Sequence, residues 1–143
     1  MLGPAVAHAF ELPTRMALPR EEYFIVQQVY RGWSNFSIML VVVQFVSLLT
    51  TAFLVRHERR VLVPTVLAIV LVLGAQVLLW TYTHPANIAT ANWTSQIDDW
   101  VRFRRSWEYA HLARAGLQAL AMTCVIIAVV SRLPSRRRGY YYY

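Results

Sequence analysis

At 143 residues the chain has the length of one domain, and 57% of it is hydrophobic. Its mean hydropathy of +0.40 excludes an ordinary soluble globule. The net charge of +7 comes from 14 basic residues, all arginine, placed at the ends of apolar runs and not in a soluble basic domain, so no nucleic-acid partner is expected.

In chain order, residues 1–19 read as an N-terminal stub and turn. The first ten residues are mildly apolar, too short to span a bilayer, and without the basic start of a cleavable signal peptide. Glu11-Leu12-Pro13 is expected to stop them. Residues 20–33 predict a surface helix. Pro19 suits a first turn because its missing N–H costs nothing there, and Glu21 and Glu22 complement the helix dipole. Tyr23, Val26, Gln27 and Tyr30 share one side of it, and Gly32-Trp33-Ser34 turns the chain into the first span.

Residues 34–55 and 61–82 are uncharged runs of 22 residues each. As helices they would be roughly 33 Å long, enough to cross a hydrocarbon core. In the first, Ser37, Gln44, Ser47 and Thr51 form one stripe, expected to face other helices. The second is bare apart from Pro64, Gly74 and Gln76, which makes it a packing span ending at Trp80 and Tyr82. A polar loop, residues 83–96, leads to a long helix over 97–131, with Ser95 and Asp98 in the spacing of an N-terminal cap.

The first half of that helix carries an unusual face. At about 100° per residue, Trp100, Arg104, Trp107, His111 and Arg114 fall within one narrow sector, with Glu108 on its edge. The helix then continues without a break into a third span, where Cys124, the sole cysteine, reads as a packing residue. The predicted fold is therefore all-α: an integral membrane helical bundle of three spans, a surface helix and a stub where a fourth span would stand. Arg56, Arg59 and Arg60 fill the 56–60 link, and Arg132, Arg136, Arg137 and Arg138 lie in the 132–143 tail. The positive-inside rule puts both in the cytoplasm of a cell-membrane protein and the 83–96 loop on the opposite side. The Tyr140–Tyr143 end is given no role.

Several blocks together resemble the anthrone-oxygenase-like family of small integral membrane proteins. They are His8-Ala9-Phe10-Glu11-Leu12-Pro13; Glu21-Glu22-Tyr23 with Gln27-Gln28-Val29-Tyr30-Arg31-Gly32-Trp33; Pro85-Ala86-Asn87 with Asn92-Trp93-Thr94; and Arg104 with Trp107-Glu108-Tyr109-Ala110-His111. The resemblance implies a four-helix membrane bundle and oxidation of anthrones, which are flat tricyclic aromatics, by molecular oxygen without haem or flavin. Here the span that would precede the His8 block is missing or cut to Met1–Ala7. A late start, a shortened chain or a partner supplying the fourth helix would each account for that.

On this reading the expected ligand is a flat, greasy anthrone, phenol or quinone entering from the bilayer. His111 is the candidate general base, with Arg104 and Glu108 as its catalytic companions. Arg104 and Arg114 would stabilise developing negative charge. Trp107 and Trp100 would cover a ring system, and Asn87, Asn92 and Trp93 would contact the ligand from the loop. No cofactor is expected. A rival functional reading uses a metal ion, because Glu108-x-x-His111 has the spacing of carboxylate-bridged bundles and His8-x-x-Glu11 mirrors it. The structural readings are an interfacial His111 bonded to Glu108, Glu108 paired with Arg104, and belt tryptophans. From a different class altogether, the chain would be a non-catalytic subunit packed in a homo-oligomer or against a partner membrane protein.

Overall fold

The computed structural model describes residues 2–133, all of whose regular structure is helical. Helix α1 spans Leu2–Ala17, α2 Arg20–Gln27, α3 Trp33–Leu54, α4 Arg59–Leu78, α5 His84–Ala89 and α6 Trp100–Arg132. A 3₁₀ turn, Gln28–Tyr30, follows α2, and a wide π turn, Leu79–Thr83, joins α4 to α5. Three stretches are long and apolar enough to cross a membrane: Asn35–Leu54, Arg59–Ala89 and Trp100–Arg132. The molecule is thus an all-α helical bundle with three candidate spans. The basic tail from residue 134 onward, including Arg136, Arg137, Arg138 and Tyr140–Tyr143, lies outside the described residues.

Helices α4 and α6 form the main seam. Lipid is as apolar as a leucine side chain, so two helices in it gain little from burying apolar surface and depend on close approach. Small side chains supply that: Ala68, Val72 and Ala121 make one buried cluster, half-buried Cys124 packs against it, and Val55, Val61 and Ala128 make another. Helix α3 leans on α4 and reaches α6 through a hydrogen bond from Gln44 Nε2 to Gln118 Oε1, 2.9 Å. The outward faces of all three remain apolar, with residues such as Val46, Phe53, Val70 and Ile126 exposed. At the opposite end from the site, Arg132 pairs with Glu58 at 3.1 Å in an exposed bridge.

Helix α1 runs antiparallel along the outer half of α6, as the pairs Arg15–Glu108 and His8–His111 show. Pro13 was expected to end it but lies inside it. A proline there forfeits one backbone bond and crowds the preceding turn, about 3 kcal/mol in an isolated helix. The helix continues because Arg15, one residue pair further on, is anchored in the bundle. Helix α2 is shorter than the expected 20–31, and its inner side buries Tyr23, Phe24 and Gln27 under the loop after α5. Gly32 then takes φ +84°, a left-handed value that any side chain would strain, and so turns the chain into α3.

Two other expectations are corrected. Only the upper part of the α3 polar stripe faces a neighbour: the Ser47 and Thr51 hydroxyls are exposed and donate back to Val43 and Ser47 carbonyls one turn earlier, which satisfies them without a partner helix. The Ser95–Asp98 cap does not form, and α6 begins at Trp100 after Asp99. Arg20 Nη2 donates to the Ile97 carbonyl at 3.0 Å and holds that residue outside the helix.

Candidate functional site

The site is assembled where α1, α2, α5 and the upper half of α6 meet the loop after α5. That loop was expected to be irregular, but its first part is α5, continuous with α4 through the π turn. The next three residues, Ala91, Asn92 and Trp93, have φ of 47°, 55° and 64°. A left-handed non-glycine residue costs about 1–2 kcal/mol, and asparagine bears it best. The run is held by its surroundings. Thr90 Oγ1 donates to the Ala86 carbonyl at 2.8 Å and accepts the Trp93 amide at 3.0 Å, while Gln28 Nε2 donates to the Trp93 carbonyl at 2.6 Å. The result drives the Trp93 indole inward, where it is buried against Tyr23 and Phe24.

Asn87 couples this loop to α6. Its Oδ1 accepts hydrogen bonds from both the Trp93 and the Trp107 indole N–H groups, each at 3.1 Å. Trp107 is buried and stacked on His111, ring centroids 3.8 Å apart and planes 16° from parallel. His8 of α1 stands edge-on to both rings, at 5.3 Å and 4.7 Å. Because one face of Trp107 is covered by His111, that indole does not present this face to a ligand as expected. His111 Nδ1 lies 3.1 Å from the Trp107 carbonyl and 3.5 Å from Thr83 Oγ1. A carbonyl only accepts, so in the neutral ring Nδ1 carries the hydrogen and Nε2 keeps its lone pair.

Beside these rings lies a buried polar network. Glu108 Oε1 accepts from Arg15 Nε at 2.8 Å and from the Tyr23 hydroxyl at 2.9 Å. Gln27 donates to that hydroxyl, and Arg15 Nη1 donates to the Tyr30 hydroxyl at 2.9 Å. Burial opposes the charge on Arg15, but the bond and attraction of Glu108 hold its pKa above the ordinary value. Burial and the nearby carboxylate raise Tyr23, and burial pushes Tyr30 up to about 12, so both phenols stay protonated. Burial, aided by Arg15, holds the His8 imidazole down at about 4, hence neutral near physiological pH.

A cavity of about 660 Å³ opens on this assembly, bounded by α1, α3, the end of α4, α5 and α6. Of the sequence-predicted site residues, His111, Trp107, Arg114, Asn87, Asn92 and Trp93 line it, and so does His8. Three others do not. Arg104 donates from Nη1 to the Leu18 carbonyl at 3.0 Å and lies over the Trp100 ring, clamping the α1–α2 link. Trp100 packs against Tyr23 and Phe24. Glu108 pairs with Arg15, in place of the expected Arg104 or His111, because the antiparallel α1 brings a guanidinium closer. The His8, Glu11, Glu108, His111 set does not assemble as metal ligands: both glutamates turn toward Arg15, and no group of three such donors converges among the described residues.

Sequence reading missed Arg15, which is buried and central, along with Tyr30, Gln76, Thr83 and Trp80 in the cavity wall. The sequence did carry one clue to Arg15, an arginine on a short apolar helix without a second basic neighbour. No protein-family model, curated protein or solved structure matches the chain.

Proposed function

We propose that this chain is a membrane oxidase of the oxygenase type that binds a flat, hydrophobic aromatic of the anthrone, phenol or quinone kind in the cavity, with His111 as the proton acceptor. The observation that carries this reading is the hollow of about 660 Å³ with the ordered His111–Trp107 pair at its wall. Its size lies in the ordinary range for small-molecule sites, and its walls mix apolar and aromatic groups with a few polar ones. The outer end of the bundle faces away from the cytoplasm in this proposal, and the ligand arrives from the lipid side.

The chemistry asks little of the protein. Loss of a proton from the activated CH₂ of such a ring system to His111 Nε2 leaves a resonance-stabilised carbanion. Oxygen takes the carbanion's electrons and forms a C–O bond, and a proton completes a hydroperoxide. Loss of water from that hydroperoxide leaves a carbonyl, so one CH₂ and one O₂ give one C=O and one H₂O. The Trp107 carbonyl fixes the imidazole tautomer, and Trp107 fixes its plane. Removing a positioned base of this type slows a reaction by about 10²–10⁴-fold.

The test is oxygen uptake and quinone absorbance with an anthrone and the purified chain in lipid discs. Wild type should accelerate both in a saturable manner. His111→Ala should fall to the background rate while keeping its helical circular dichroism and melting temperature. Full activity in that variant removes His111 from the chemistry, and the absence of saturable binding overturns the cavity as a ligand site.

A further inference from the structure

Arg114 has no counter-charge within the protein. It sits on α6 between the main cavity and a smaller recess of about 80 Å³ walled by Trp33, Phe36 and Leu40, and it lines both. Among the described residues it makes no hydrogen bond or ion pair, and its Nε is buried without a partner. No aspartate or glutamate lines either hollow. The nearest carboxylates are committed elsewhere, Glu108 to Arg15 and Tyr23, and Glu11 to Arg15 and Tyr30. A guanidinium stays ionised under all ordinary conditions, and inside a candidate span its charge is costly unless an anion meets it. His8 Nδ1, on the same walls, is likewise buried and unpartnered. The amides of Gln76 and Gln118 can turn either end inward and so decide nothing about polarity. Arg114 does: it can only donate, through a planar fork that matches two oxygens of a carboxylate or one ionised phenol.

We infer that Arg114 anchors an ionised oxygen of the bound molecule, so the cavity selects acidic flat aromatics over neutral ones of the same shape. This rests on the proposed ligand cavity and adds the charge of its occupant. The same anionic oxygen chemistry is offered by a lipid headgroup phosphate, since Arg114 lies in the upper part of α6.

The experiment compares anthracene-9-carboxylate with anthracene-9-carboxamide, near neutral pH, by fluorescence titration of the full chain in phosphatidylcholine discs, with empty discs subtracted. The carboxylate should bind about tenfold tighter or more, the size of one good charge-assisted contact. Arg114→Gln should bring the two ligands to equal affinity, and Arg114→Lys should retain part of the preference. Equal affinity in the wild type, or a preference that survives in Arg114→Gln, overturns the inference while leaving the cavity reading in place. Binding of neither ligand overturns both. The wild-type comparison decides even if the glutamine variant does not fold. Repeating the titration in discs containing phosphatidylglycerol separates the two sources: a preference kept there supports a ligand anion, and one abolished there assigns the guanidinium to lipid phosphate and sinks the inference.

Discussion

Asn87 has one side-chain oxygen, and two buried indoles depend on it. Each indole N–H can only donate, so Asn87→Ala leaves two donors without an acceptor at about 1–3 kcal/mol apiece, partly relieved where water reaches them. The expected loss is about 2 kcal/mol of stability with a red shift in tryptophan emission. Unchanged melting and emission would show that neither bond matters. His8 makes a second prediction at this scale. Its pKa is about 4 in the folded chain against 6.5 unperturbed, so between those values the unfolded chain binds a proton that the folded one refuses. The contribution of His8 to stability is therefore complete above about pH 6.5 and is lost as pH falls toward 4. Melting curves of the wild type and His8→Asn across that window should diverge in slope, and parallel slopes would remove His8 from the balance. The sequence showed part of this. The face shared by Trp107, His111 and Arg114 follows from helical spacing alone, and they do line one hollow. Arg15 was invisible because its partner Glu108 is 93 residues away, and no local rule reports such a contact.

At the scale of elements, α1 is fastened to α6 by a nearly dry ion pair, with side chains 4% and 1% exposed. Such a pair contributes little net stability relative to apolar packing, yet breaking it from one side strands a charge. Glu108→Gln should cost about 3–5 kcal/mol. The double change Arg15→Met with Glu108→Gln should cost less than the single one. Additive losses in calorimetry or thermal melting would mean that the two side chains do not act as a unit. The left-handed run after α5 gives another contrast. Ala91 is exposed, so Ala91→Val changes backbone strain with little packing and should lower the melting temperature, while Ala91→Gly should leave it equal or higher. The reverse order would show that the strain is absent. Elements were legible where composition alone decides them: α3 and the span in α4 match the two uncharged runs within a few residues. They were misread where a tertiary bond overrode a local signal, as when Arg20 holds Ile97 out of α6 and an anchored Arg15 carries α1 past Pro13.

For the molecule as a whole, the polar machinery is confined to one end and the other end is basic link and helix terminus. The proposed orientation puts these ends on opposite sides of a membrane. In a Cys124→Ala background, a cysteine at His57 should react only with a reagent supplied from the cytoplasmic side, and one at Ser95 only from the other. Labelling of both from one side would require a different arrangement in the bilayer. Small residues at the α4–α6 seam set how closely the two ends are tied. Ala68 and Ala121 are almost wholly buried there, so enlarging either to leucine should overpack the seam by about 1–3 kcal/mol, read as a lower melting temperature.

The π turn at Leu79–Thr83 has a consequence for how this protein tolerates change. Along α4 the inward positions are Thr65, Ala68, Val72 and Ala75, and beyond the wide turn they resume at Thr83, Ala86 and Thr90. Two turns of α-helix take about seven residues, whereas Ala75 to Thr83 takes eight, so the turn accommodates one surplus residue. Deleting any one residue there would let the backbone relax to ordinary geometry and rotate everything downstream by about 100°. The Asn87 oxygen would swing out toward lipid, and both indoles would lose their acceptor. A lineage that shed that residue could keep every side chain discussed above and still lose the hollow they enclose.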